Sequence, residues 1–367
     1  MKQRLRLMIP GPIEVAPEVL EVMAEPLVAH YGKDWTAFYQ ETIGLLRKIF
    51  RTDGDVFLFP GSGSAGLDAA LGSTLFPDGK VLILQNGFFS ERLEEIARSY
   101  TPHVYTIKSS VSQSIDLEAV ERTLQSESLD AVACVHCETS TGVLNPIQEL
   151  AELCRFHGVL FIVDAVSSLG VEALEMDAWG IDVCISASQK GLEAPPGLGV
   201  IAVDKRAWDR INQVKGPGWY LNLRVWKEYA EKWGDWHPHP VTQAVNNIRA
   251  LRVGVDRIFK EGLESRFDRH CKIARQLRQA LREIGFTPYV ADDVASNGVT
   301  SVLGGEVDID KLLTYVREKE NILLAGSLGA LEGKVFRIGH MGPEATDEAI
   351  ESVLAALRNG LHAARAT

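Results

Sequence analysis

The chain has 367 residues, a length that suggests about two domains, and its 46% hydrophobic and 24% charged residues argue against disorder. A formal net charge of −11 with no Lys/Arg-rich run argues against a nucleic-acid partner, and no stretch of about 18 uninterrupted apolar residues offers a membrane span. Five cysteines in so long a chain do not make a disulfide framework, and the first ten residues hold no apolar signal core, so a reduced, cytoplasmic protein is expected.

Along the chain, short apolar runs alternate with amphipathic segments. Asp55–Pro60, Lys80–Gln85, Asp130–His136, Leu160–Val166, Ile181–Ala187 and Leu198–Val203 are continuous rather than alternating, which predicts strands covered on both faces. Ser64–Leu75, Phe89–Tyr100 and Asn145–His157 read as helices between them, the last with Pro146 at a first turn. This alternation predicts an α/β fold with a mostly parallel central sheet, whose ligands gather outside the carboxyl ends of the strands. From about Thr242 the pattern changes. Asn247–Glu261, Leu263–Gly285 and Ala345–Ala364 read as helices and 287–305 and 334–338 as strands, with Trp236–Thr242 as the linker. The expected division is a large domain over 15–245 and a smaller α+β domain made of 246–367 with the N-terminal segment 1–14.

Three motifs fall at strand ends. Pro60-Gly61-Ser62-Gly63-Ser64-Ala65-Gly66 follows a strand and opens a helix, where glycines admit an anion and the helix start offers free N–H groups. It lacks the Gly-Lys-Ser/Thr ending of a P-loop, and alone it reads equally as a plain strand-to-helix turn. Asp164 ends a very apolar strand, where a carboxylate is costly without a cationic partner such as a protonated pyridine nitrogen; a helix cap or structural ion pair is the alternative. Lys190, in Ser186-Ala187-Ser188-Gln189-Lys190-Gly191, ends a further strand ahead of Pro195-Pro196-Gly197. An amine in such surroundings can act as a nucleophile toward an aldehyde, although most lysines are solvated surface charges. Together the three supply the anchors that pyridoxal 5′-phosphate (PLP) demands: a pyridine-nitrogen partner, an aldehyde-trapping lysine and a phosphate site.

In this order the motifs resemble the class V, fold type I, PLP-dependent aminotransferases of the alanine–glyoxylate and serine–pyruvate group. The resemblance runs from Pro10-Gly11-Pro12 through Gly61-Ser62-Gly63, Glu138-Thr139-Ser140-Thr141-Gly142, Asp164 and Ser188-Gln189-Lys190 to Phe336-Arg337-Ile338-Gly339. It implies that Lys190 forms the Schiff base and shuttles the proton, while Asp164 keeps the ring nitrogen protonated. Val166 would pack under the ring, Phe89 would stack on it where the group often has Trp, and Thr139 would lie near the ring hydroxyl. Ser62, Gly63, Ser64 and Gln189 would hold the phosphate, and Arg337 the substrate carboxylate beside Gly11. It also implies a homodimer with active sites at the interface. There Trp236-His237-Pro238-His239 stands where the group has a Tyr-x-x-Thr-like element, so that Trp236 and His239 would approach the partner's phosphate or else pack locally. His30-Tyr31-Gly32-Lys33-Asp34-Trp35 also departs from the commoner pattern near the substrate.

The implied reaction is a ping-pong transfer from an alanine- or serine-type donor to glyoxylate or pyruvate. Ureidoglycine–glyoxylate, aminoethylphosphonate–pyruvate and pyridoxamine–pyruvate aminotransferases are the near alternatives. A cysteine desulfurase-type lyase is a more distant one, because Gln189 and Phe89 stand where such lyases carry His. No metal is expected: Cys134-x-x-Cys137 has no second pair to complete a zinc site.

Overall fold

The computed structural model describes residues 4–365. In chain order the elements that build the site are α1 (Lys33–Phe50), β1 (Asp55–Pro60), α2 (Gly63–Thr74), β2 (Val81–Gln85), α3 (Phe88–Arg98), β3 (Val104–Lys108), β4 (Ala131–Val135), α4 (Ile147–Phe156), β5 (Leu160–Asp164), β6 (Val183–Ala187) and β7 (Leu198–Val203). The strands form one seven-stranded sheet in the order β1-β7-β6-β5-β4-β2-β3. All neighbours are parallel except β7, which runs antiparallel to both β1 and β6. The strand runs are apolar at every position because alternate residues enter different cores. Leu82, Val132, Phe161, Val163 and Val200 meet α1 and α4 on one face, whereas Ile83, Ala133, Ile162, Ile185 and Ile201 meet α2 and α3 on the other. The sheet is thus α/β and mostly parallel, as the apolar runs imply.

The later elements are α5 (Val245–Glu261), α6 (Leu263–Glu283), β8 (Val299–Leu303), β9 (Val335–Gly339) and α7 (Asp347–Arg365). β8 and β9 pair antiparallel at the centre of a four-stranded sheet whose outer strands are Thr287–Pro288 and Ala325–Gly326. The second core holds Ile273, Leu277 and Leu281 of α6 with Val302, Phe336 and Ile338, and Met8 of the N-terminal segment joins it. Residues 246–261, expected to open the smaller domain, instead send Ile248, Leu251, Val255 and Ile258 into the large core. A helix follows its apolar stripe, not the composition change ahead of it. After Met8 the chain crosses back over the carboxyl edge of the large sheet, so that Gly11 lies against the side chain of Lys190. Among the described residues no helix is long and apolar enough to cross a membrane.

Candidate active site

Asp164 is the last residue of β5 and is buried, with Oδ1 accepting the Val166 N–H at 2.9 Å. Burial pushes its carboxyl up to about 6, with Glu138 adding to the rise; the Val166 amide, Lys190 and Arg92 oppose it. Just past the neighbouring strand β6, the turn that carries Lys190 is pinned by one hydroxyl: Ser188 Oγ donates to the Pro195 carbonyl at 2.6 Å and accepts the Leu198 N–H at 3.3 Å. Lys190 is buried and its Nζ donates to the Pro10 carbonyl. Burial pushes the amine down to about 8, Arg337 assists, and Cys137 and Asp164 oppose. An amine so displaced is partly neutral near pH 8, the form that attacks an aldehyde.

A third element completes the site. Ser62 stands at the N-cap of α2 without a side-chain cap bond, and the first helical amides, those of Gly63 and Ser64, have no acceptor within the helix. Gly63 is needed because a Cβ there would meet Val166 Cγ2 at 2.8 Å and Ala187 Cβ at 3.3 Å. Beside this helix start, Gln189 Oε1 is buried without a hydrogen-bond partner.

These parts face one cavity of about 360 Å³. Ten of the residues singled out in the sequence line it: Gly11, Ser62, Gly63, Ser64, Phe89, Thr139, Asp164, Val166, Gln189 and Lys190. Helix amides with serine hydroxyls, an isolated carboxylate and a lone amine fit the phosphate, ring nitrogen and aldehyde of PLP. The space kept open at Gly63 fits it as well.

Three expected residues stand outside the cavity wall. Arg337 lies in β9, buried behind Thr139. Its Nε and Nη2 donate to the Gly326 carbonyl (3.0 and 2.7 Å) and its Nη1 to the Thr139 carbonyl (2.9 Å). Burial lowers the guanidinium to about 10, with Glu138 opposing. Trp236 is half exposed and neighbours Tyr31 and Trp233. His239, expected to approach the partner's phosphate or else pack locally, has local partners here: Nε2 accepts the Trp35 indole N–H at 3.0 Å, so Nδ1 carries the proton and gives it to the Val241 carbonyl at 2.9 Å. Burial holds this ring neutral, lowering it to about 3. His30, His237 and His239 bring ring nitrogens within 4.8 Å of one another, but neither nitrogen of His239 is left for a metal.

Sequence reasoning passed over two residues that matter. Glu138, fully buried, accepts the N–H groups of Phe89 (3.2 Å), Ser90 (2.9 Å) and Ser140 (3.2 Å), so it caps α3 and sets the backbone of Phe89. Its place in Glu138-Thr139-Ser140-Thr141-Gly142 was the available signal. Arg92, one turn into α3, lines the cavity with its guanidinium 5.2 and 5.1 Å from the ring centres of Phe88 and Phe89. It stands three residues past the Phe89 motif, where nothing local marks it.

A doubly wound sheet with a buried lysine, an acid and an anion cradle at its carboxyl edge defines a PLP-binding enzyme of fold type I. The aminotransferase class-V family model matches residues 20–353, and the chain belongs to that family. It is 39% identical to an uncharacterized aminotransferase of Methanocaldococcus jannaschii over 92% of this chain and 87% of the relative. It is 32% identical to the (S)-ureidoglycine–glyoxylate transaminase of Bacillus subtilis, over 96% of this chain and 89% of that one. The crystal structure of an alanine–glyoxylate aminotransferase from Nostoc sp. superposes with a TM-score of 0.94 at 32% identity, covering 98% of this chain and 96% of the other. The protein is therefore a PLP-dependent aminotransferase.

Proposed function

We propose that the enzyme moves an amino group from a small amino acid of the alanine or serine type to glyoxylate or pyruvate by a ping-pong mechanism through Lys190. The observation that carries this is that the Lys190 amine, the Asp164 carboxylate and the start of α2 border one cavity. Bound PLP supplies an aldehyde that takes up the amino group and a ring that absorbs the charge developing at the substrate α-carbon. Asp164 holds the proton on the ring nitrogen; its ionised form, favoured by that cation, is the one the reaction uses. Lys190 Nζ, once released from the Pro10 carbonyl, would hold the aldehyde and then serve as the base that takes the proton from the substrate α-carbon. Phe89 and Val166 would sandwich the ring, Thr139 would adjoin its hydroxyl, and Ser62, Gly63, Ser64 and Gln189 would hold its phosphate. Arg337 meets the substrate carboxylate with the N–H bonds that Gly326 and Thr139 do not use, and Gly11 leaves room beside it.

The reading includes a cytoplasmic homodimer, for which the half-exposed Tyr31, Trp219, Trp233 and Trp236 offer an aromatic surface. The experiment is a single-turnover panel of amino donors, read as loss of the cofactor's visible absorption, followed by oxo acids that restore it. Alanine or serine with glyoxylate or pyruvate should react fastest. Faster reaction with ureidoglycine, aminoethylphosphonate or pyridoxamine would replace the substrate assignment, and loss of the cofactor on dialysis would favour the pyridoxamine reading.

A further inference from the structure

We infer that Arg92 supplies the positive charge that neutralises the cofactor phosphate. This rests on the proposed phosphate site at Ser62–Ser64. A phosphate monoester carries about −1.5 to −2 charges at pH 7. The groups placed around it, two serine hydroxyls, two helix amides and the Gln189 amide, carry no formal charge. A helix start adds roughly half a charge. Burying the rest unpaired is costly, so the site needs a full cation.

Two cations line the cavity, Lys190 and Arg92, and Lys190 is committed to the aldehyde end. Among the described residues Arg92 has no carboxylate within ion-pair distance and no hydrogen-bond acceptor, unlike its helix neighbour Arg98, which bonds Glu94 at 2.8 Å. Its guanidinium is instead held over the faces of Phe88 and Phe89, and it lines the same cavity as Ser64 and Leu67 of α2. A stacked guanidinium keeps its N–H edge free in the plane of the group, which suits bidentate contact with phosphate oxygens. Phe89 then has two tasks, stacking on the ring and aiming the cation at the phosphate.

The test compares binding of PLP with binding of phosphate-free pyridoxal to cofactor-stripped enzyme, for the wild type, Arg92→Gln, Arg92→Lys and Ser64→Ala. Arg92→Gln should weaken PLP about 10- to 100-fold and leave pyridoxal unchanged. Arg92→Lys should recover part of the loss, since it keeps the charge without the planar fork. Inorganic phosphate should compete with PLP for the wild type and much less for Arg92→Gln. If Ser64→Ala loses the preference for PLP over pyridoxal and Arg92→Gln keeps it, the role of Arg92 is overturned while the phosphate site stands. If neither variant loses it, both are overturned. Equal weakening of PLP and pyridoxal by Arg92→Gln, with an unchanged apoenzyme melting temperature, also contradicts the inference.

Discussion

Two buried cations, Arg266 and Lys190, linked through the backbone of Gly191, are treated in opposite ways. Arg266 is fully buried and tied off: it donates to the Gly170 and Gly191 carbonyls (2.6 and 3.0 Å) and to Glu193 (2.6 Å) and Glu261 (3.3 Å). Lys190 is nearly as buried, yet the bond its Nζ makes is to the Pro10 carbonyl, and its amine is pushed down to about 8. The first arrangement stabilises a charge and the second leaves it reactive. They are also joined, because the Gly191 carbonyl that Arg266 holds belongs to the residue after Lys190. A satisfied ion-pair network on one side thus fixes the backbone from which an amine with no ion pair projects on the other.

This contrast can be broken at several points. Lys190→Ala should lower amino transfer by about 10⁴-fold or more while leaving the apoenzyme as stable as the wild type, because it removes a desolvated amine. Rate and denaturant unfolding measured on the same preparation would check both halves. Arg266→Leu should do the reverse, costing about 3–5 kcal/mol of stability, since Glu193 would keep only the Arg257 contact at 3.2 Å. Asp164→Asn should lower the single-turnover rate about 10²- to 10³-fold with little change in fold. Gly11→Ala should cost about tenfold in rate at unchanged melting temperature. Its Cβ would sit 2.5–2.7 Å from the Lys190 side chain, at a φ of +147° that disfavours a side chain.

The smallest effect is a pH slope. The amine falls from its ordinary 10.5 to about 8 on folding, so the unfolded apoenzyme binds more protons between those values. Its penalty is complete below about pH 8 and is relieved as pH rises toward 10.5. Apoenzyme stability should therefore gain a positive contribution across that window, and Lys190→Met should remove it. Asp164, raised from 3.8 to about 6, works with the opposite sign. The folded form binds the extra proton, so its stabilising share is complete below about 3.8 and is lost as pH climbs through 6.

What the sequence revealed follows the same physics. The fully buried strands were legible because nothing but a two-faced core accounts for runs such as Leu160-Phe161-Ile162-Val163. The edge strand Val104–Lys108 was not, since its residues are half-buried and mixed in character. Strand direction was not legible for β7 either: it is as apolar as the parallel strands of the sheet, and pairing alone makes it antiparallel. At the site, ten residues of the motifs converge on one cavity because all but Gly11, which the crossing N-terminal segment brings in, lie near a strand or helix end. For His239 the partners, Trp35 and Val241, come from folding and not from the motif around it, so the motif alone left its role open. Arg92 was not legible because what sets it apart, having no ion-pair partner among the described residues, appears only once the chain is folded.

The most direct test of the account is to reduce the PLP-loaded enzyme with borohydride and map the labelled peptide by mass spectrometry. The cofactor mass should appear on Lys190 alone, and Asp164→Asn should leave the label there while slowing transfer. Label on another lysine, or full transfer by a Lys190→Ala enzyme, would contradict the claim that this amine and the Asp164 carboxylate serve one bound ring.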